Sequence, residues 1–154
     1  MLPEMKNFYD LLAKLEYDIE RYNLTSHIYE LLDCLMTLNA IPEWIVAGDN
    51  QNESLRRVAT EKIKIMKGTN FIFDEKLLYE NIDHKLRLVR LICNHAKHKT
   101  DSKQIPIITR EYDASFPMEF PVKFDYIISI GEKAVDAEFL ITEVARFWKD
   151  KCGH

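Results

Sequence analysis

Glycine is scarce in this chain. Only four occur, each standing alone, so there is no glycine-rich loop that could cradle a phosphate with backbone N–H groups. The three cysteines, Cys34, Cys93 and Cys152, are odd in number and include no CxxC pair. That excludes a regular disulfide framework. Cys34 and Cys93 lie inside apolar helical patterns, where cysteine usually serves as a small core residue, and this usage points to a reducing cytoplasm. No apolar run is long enough to span a bilayer, and the opening "MLPEMKNFYDLL" carries an early acid, so neither a membrane partner nor a signal peptide is expected. A basic excess is missing too. With a net charge of -4 no global positive field gathers nucleic acid, and such binding must come from a local patch. HExxH, a serine elbow and a cysteine–histidine pattern are likewise absent, and the sequence calls for no metal or cofactor.

The chain does have the material of a core. At 47% hydrophobic and 30% charged residues over 154 positions, it reads as one globular domain spanning residues 1–154. Phe8, Leu11, Leu12, Leu15 and Ile19 recur at helical spacing between about Pro3 and Arg21. The polar break "NLTS" offers caps for a second run, Ile28, Leu31, Leu32, Leu35 and Leu38, which should end before Pro42. "IPEWIVAGDNQNES" then reads as a connector folding back onto the core. Asn52 should cap "ESLRRVATEKIKIMK" and Gly68 should close it. Asp74 should open a longer fourth helix reaching roughly Lys99.

After Thr100 the segments "IPIITREY" and "VKFDYIISI" are rich in β-branched and aromatic residues, the second alternating at Phe124, Tyr126, Ile128 and Ile130. Gly131-Glu132 suits a two-residue hairpin turn leading into "KAVDA". A last helix, about Glu138 to Lys151, turns Leu140, Val144, Phe147 and Trp148 inward. The fold class that follows is mainly α: a bundle of about five helices with a small antiparallel hairpin or three-stranded sheet before the last helix.

Chemistry concentrates in "LRLVRLICNHAKHKT", Leu86 to Thr100. At about 100° per residue, Ile82, Leu86, Val89, Cys93 and Ala96 share the core side of this helix. Asp83, Arg87, Arg90, Asn94, Lys97 and His98 form a polar stripe beside it, and His84 and His95 lie at its edge with Leu88 and Leu91. Any solvated helix face shows such a stripe. Here, though, Lys85, Arg87, Arg90, Lys97, Lys99 and Lys103 are accompanied by only one acid, Asp101. An unbalanced face of this kind asks for an anion, either a phosphate or the carboxylates of a partner. A metal fits poorly: His95 and His98 lack a second ligand cluster and sit among cations. The aromatics Phe8, Tyr9, Tyr17 and Tyr22 follow the first helix at core and boundary spacing, which suits packing better than base stacking.

The segment carried by Leu86, Arg87, Arg90, Ile92, Cys93, Asn94, Ala96, Lys97 and His98 resembles one that closes the central helix of HEPN-like bundles in a group of small bacterial proteins. The resemblance implies a homodimer, and its active relatives are similar to metal-independent endoribonucleases of toxin and antiviral systems. On that pattern Arg90 from each of two protomers would hold the scissile phosphate. His98, or His95, would move the proton, Asn94 would position the phosphate or the histidine, and Arg87, Lys97 and Lys99 would bind the strand. The sequence departs from the family's motif in three ways. Leu91 follows Arg90 where a polar residue is usual, His95 lies about 140° around the helix from Arg90, and His98 is further along than the usual interval. Two readings therefore stand: an RNA- or nucleotide-binding protein that cleaves RNA, or a non-catalytic interaction module that holds an acidic protein partner on its basic helix face.

Overall fold

The structure, a computed structural model, describes residues 5–48, 52–98, 105–110 and 125–153, except for the side chains of residues 97 and 98. Within these residues five α-helices and three strands follow in the order α1 (Phe8–Thr25), α2 (Ile28–Ala47), α3 (Glu53–Lys67), α4 (Ile82–His98), β1 (Ile107–Arg110), β2 (Tyr126–Ile130), β3 (Lys133–Asp136) and α5 (Ala137–Cys152). The fold is the mainly helical bundle, with a small antiparallel sheet ahead of the last helix, that the sequence pattern predicts.

Helix α1 starts at Phe8, later than expected. Asn7 builds a capping box in which its side chain accepts from Tyr9 N and Asp10 N, while the Asp10 carboxylate accepts from Asn7 N. The helix also runs past Arg21 through most of "NLTS" and stops only at Ser26, in the left-handed region at φ 49°. His27 then caps α2 through Nδ1, which accepts from Tyr29 N at 3.2 Å. Between the two helices the Asp18 carboxylate is buried and accepts from Lys14 Nζ at 2.6 Å and from the Thr37 hydroxyl at 2.7 Å; Lys14 also donates to Thr37 at 3.0 Å.

Pro42 does not end α2, which continues to Ala47. A proline inside a helix removes one N–H and crowds the preceding turn, at a cost of about 3 kcal/mol. Against that, the last turns bury Ile41 and Ile45 completely, each contributing about 1.5–3 kcal/mol. Tertiary packing outweighs the local signal, and Trp44 and Ile45 belong to a helix rather than to a turn. The two boundaries of α3 behave as expected: Asn52 accepts from Leu55 N, and Gly68, at φ 78°, closes the helix with its own N–H on Ile65 O.

Asp74 caps only a single 3-10 turn, Glu75–Leu77. Helix α4 begins later, at Ile82, where Asn81 Oδ1 accepts from Asp83 N at 2.8 Å. In the sheet β2 lies between β1 and β3, with Ile107 opposite Ser129 and Ile130 opposite Lys133. Gly131, at φ 57°, supplies the first residue of the two-residue turn. Of the alternating residues in β2, Phe124 lies outside the described residues, while Ile128 and Ile130 are buried.

One carboxylate ties the sheet to the bundle. Asp125 accepts from the Tyr22 hydroxyl at 2.6 Å, from Tyr126 N at 2.8 Å and from Glu138 N at 3.1 Å. It thereby caps α5, whose own capping residue Asp136 makes no side-chain cap bond. Burial, together with this carboxylate, raises the Tyr22 hydroxyl above its ordinary pKa. Asp125→Ala should cost about 2–3 kcal/mol, the sum of a lost cap and an unmet hydroxyl. Urea denaturation checks this, and a loss under about 0.5 kcal/mol would contradict the three-way role.

Cys34 lies at the heart of the bundle with no exposed surface, and burial, helped by the Asp18 and Asp33 carboxylates, pushes its thiol up to about 12. Since the thiolate is the reactive form, Cys34 in the native protein should resist iodoacetamide at about pH 8.5, an ordinary thiol's pKa, and react only on unfolding. Peptide mapping that finds Cys34 alkylated within minutes would refute this. The sign for stability follows: unfolding lets the thiol ionise at its ordinary pKa, so Cys34 disfavours the native state as pH climbs from that range toward about 12.

Candidate functional site

Helix α4 is enclosed by α2, α3 and α5, so its core side is wider than one stripe. His84, Lys85, Leu86, Leu88, Val89, Leu91, Ile92 and Cys93 are all buried. Two residues assigned to the core side behave otherwise: Ile82 is half-buried and Ala96 is exposed. Lys85, expected on the cationic face, is instead buried. Its ammonium donates to Tyr79 O at 3.2 Å and lies over the Phe139 ring, and burial lowers its pKa. Of the polar residues left half-buried, Asp83, Arg87, Arg90 and Asn94 follow one another at intervals of four, three and four and form one narrow seam.

Each charged member of the seam has a partner in its own chain. Asp83 accepts from Lys62 Nζ of α3 at 2.8 Å. Arg87 Nη1 donates to Met66 O at 2.6 Å, placing a cation on the carbonyl end of α3, where the helix carries partial negative charge. Its guanidinium lies so close to Gly68 that a Cβ there would meet Cζ at 3.0 Å. Burial first, and then the nearby positive Arg90, lower the Arg87 pKa.

Arg90 is held differently. Nη2 donates to Glu43 Oε1 of α2 at 3.2 Å, and Glu43 is 52% exposed whereas Arg90 is 13% exposed. Nε of the same guanidinium is buried with no hydrogen-bond partner among the described residues. An ion pair with one end in water contributes about 0–1 kcal/mol, and one long bond leaves most of the fork unused.

The remaining predicted residues divide into three groups. Asn94 stands one turn beyond Arg90 on the seam. His95 lies on the other side of α4, in line with His84, Leu88 and Leu91, and its Nδ1 is buried without a partner. The side chains of Lys97 and His98, and Lys99 altogether, lie outside the described residues, although α4 itself extends to His98. Thus Arg87, Arg90 and Asn94 come together and His95 does not join them. His84 is structural: Nδ1 accepts from Asp74 N at 3.0 Å, and the ring packs against Phe71 and Phe73. Among the described residues no three of His, Cys, Asp and Glu gather to hold a metal.

The sequence alone did not reveal Glu43, Lys62 or the Met66 carbonyl. Glu43 was hidden by the expectation that α2 stops before Pro42; carried one turn further, the helix puts Glu43 on α4. Compared with known proteins, the chain matches no family model, no curated protein and no solved structure.

Because Arg87 caps α3, Arg87→Met should destabilise the protein by about 1.5–3 kcal/mol, the range for a hydrogen bond from a charged donor. A urea midpoint within error of the wild type would show that the guanidinium does not serve as the cap.

Proposed function

We propose that the chain is an RNA- or nucleotide-binding protein of HEPN-like type whose phosphate contact is made by the seam of α4, with metal-independent cleavage of RNA as its activity. One observation supports this above the others. Arg90 is a sheltered guanidinium with an unbonded Nε and a single long bond to a carboxylate that stands half in water. Such a group gains when an oxyanion offers two oxygens to its planar fork. Asn94, one turn along, adds a donor and an acceptor to the same stripe.

In this reading two copies meet across a twofold axis, and Arg90 from each neutralises the scissile phosphate. His98 takes the proton of the ribose hydroxyl or returns one to the leaving oxygen, each transfer contributing about two to four powers of ten in rate. His95, set about 140° around the helix from Arg90, is the weaker candidate for this step. Lys97 and Lys99 extend the cationic surface along the strand.

A second reading is favoured by the way the charges are already answered. Arg87 is tied to Met66 O and Arg90 to Glu43, which suits a non-catalytic interaction module that holds an acidic protein partner with what remains of its basic face. Incubating the purified protein with labelled RNA in EDTA separates the two. The ribonuclease reading expects cleavage with cyclic phosphate ends that Arg90→Ala and His98→Ala each abolish while the fold stays intact. Absence of cleavage by the wild-type protein, or cleavage that survives both substitutions, rejects the enzyme.

A further inference from the structure

Arg90 and Glu43 form a loose, one-sided pair. Three features of the pair stand out, the first against the other ion pair of α4 among the described residues, Lys62–Asp83. First, the bond is long and single, Nη2 to Oε1 at 3.2 Å, whereas Lys62 meets Asp83 at 2.8 Å with both partners mostly buried. Second, Glu43 reaches the guanidinium from an exposed position on α2, so displacing it returns a carboxylate to water at little cost. Third, Nε of Arg90 is buried with no acceptor, and a donor left unmet in this way is costly and needs an explanation. A carboxylate placed end-on at Nη2 leaves Nε unmet. A tetrahedral phosphate with two free oxygens satisfies Nε and Nη2 together, in the side-on fork that arginine is shaped to make.

We propose that Glu43 is the resident anion of the Arg90 site and that an RNA phosphodiester takes its place, seating its two non-bridging oxygens on the Nε and Nη2 edge. The inference rests on the reading of α4 as a phosphate-binding surface and adds the residue that sets its affinity. Glu43 keeps a lone guanidinium from being left half-buried and unanswered when no strand is bound. It also handicaps every weak anion by the strength of the pair it must break.

The test uses the full chain and a fluorescein-labelled twelve-nucleotide oligo(U) with 2′-O-methyl riboses, which keeps the phosphodiesters but lacks the hydroxyl that cleavage needs, with binding read by anisotropy at low salt, where phosphate contacts are strongest. Glu43→Gln should tighten binding by about two- to fivefold, the worth of a surface ion pair, beyond whatever Glu20→Gln gives. The latter makes the same change of charge on the exposed face of α1 and so measures the general electrostatic gain. Arg90→Ala should weaken binding, and adding Glu43→Gln to it should restore nothing. Equal gains from the two glutamine variants, or a gain from Glu43→Gln that persists without Arg90, would overturn the inference while leaving RNA binding in place. No binding of either the oligonucleotide or ATP by the wild type or any variant overturns the phosphate-binding reading, and the inference with it. If ATP binds in the Glu43-dependent way and oligo(U) does not, the site takes a nucleotide monoester and the phosphodiester assignment falls.

Discussion

The structure depends on enclosing a helix that carries charge. Helix α4 is covered on most of its circumference yet bears Asp83, Lys85, Arg87 and Arg90 within two turns. Taking such groups out of water without partners would cost more than the surrounding apolar contacts return. The fold meets this by bringing a specific acceptor or donor to each: Lys62 from α3, a backbone carbonyl from the end of α3, Glu43 from α2 and Tyr79 O from the connection before α4. The position of α3 against α4 is therefore tied by polar contacts as well as by the apolar side chains between them, whereas α2 is held to α4 mainly by its buried apolar face.

The two arginines show how one residue type can play opposite parts. Arg87 lies against the closing turn of α3, where Gly68 leaves just enough room for its guanidinium, and it completes a helix end that would otherwise keep bare carbonyls. Arg90, three residues on, has a partner that water can replace and a donor that nothing among the described residues satisfies. Fixed charge and available charge sit on adjacent turns of the same stripe. Only the second kind suits a ligand.

What could be read in the sequence was what a few neighbouring residues decide. Asn52 and Gly68 mark the limits of α3, and Gly131-Glu132 marks the hairpin, because caps and tight turns are local geometry. The spacing of Arg87, Arg90 and Asn94 likewise defined the stripe. The partners were not legible, since Met66 is 21 positions from Arg87 and Glu43 is 47 from Arg90. Pro42 misled for a related reason: the local rule against proline in a helix is sound, but the burial of Ile41 and Ile45 is decided by helices elsewhere in the chain. Asp74 has the form of a helix cap and serves one, yet only for a single turn, because His84 claims its N–H and draws the connection back across α4.

The Asp18, Lys14 and Thr37 cluster acts as an index mark between α1 and α2. Leucines on the two helices are numerous enough to interdigitate after a slip of one turn with modest loss. Such a slip would carry Asp18 and Lys14 together away from the Thr37 hydroxyl, leaving the buried carboxylate with Lys14 as its one partner and both facing apolar side chains of α2. A single buried acid thus turns a sliding contact into one with a unique stop, and every element built outward from α2 inherits that alignment.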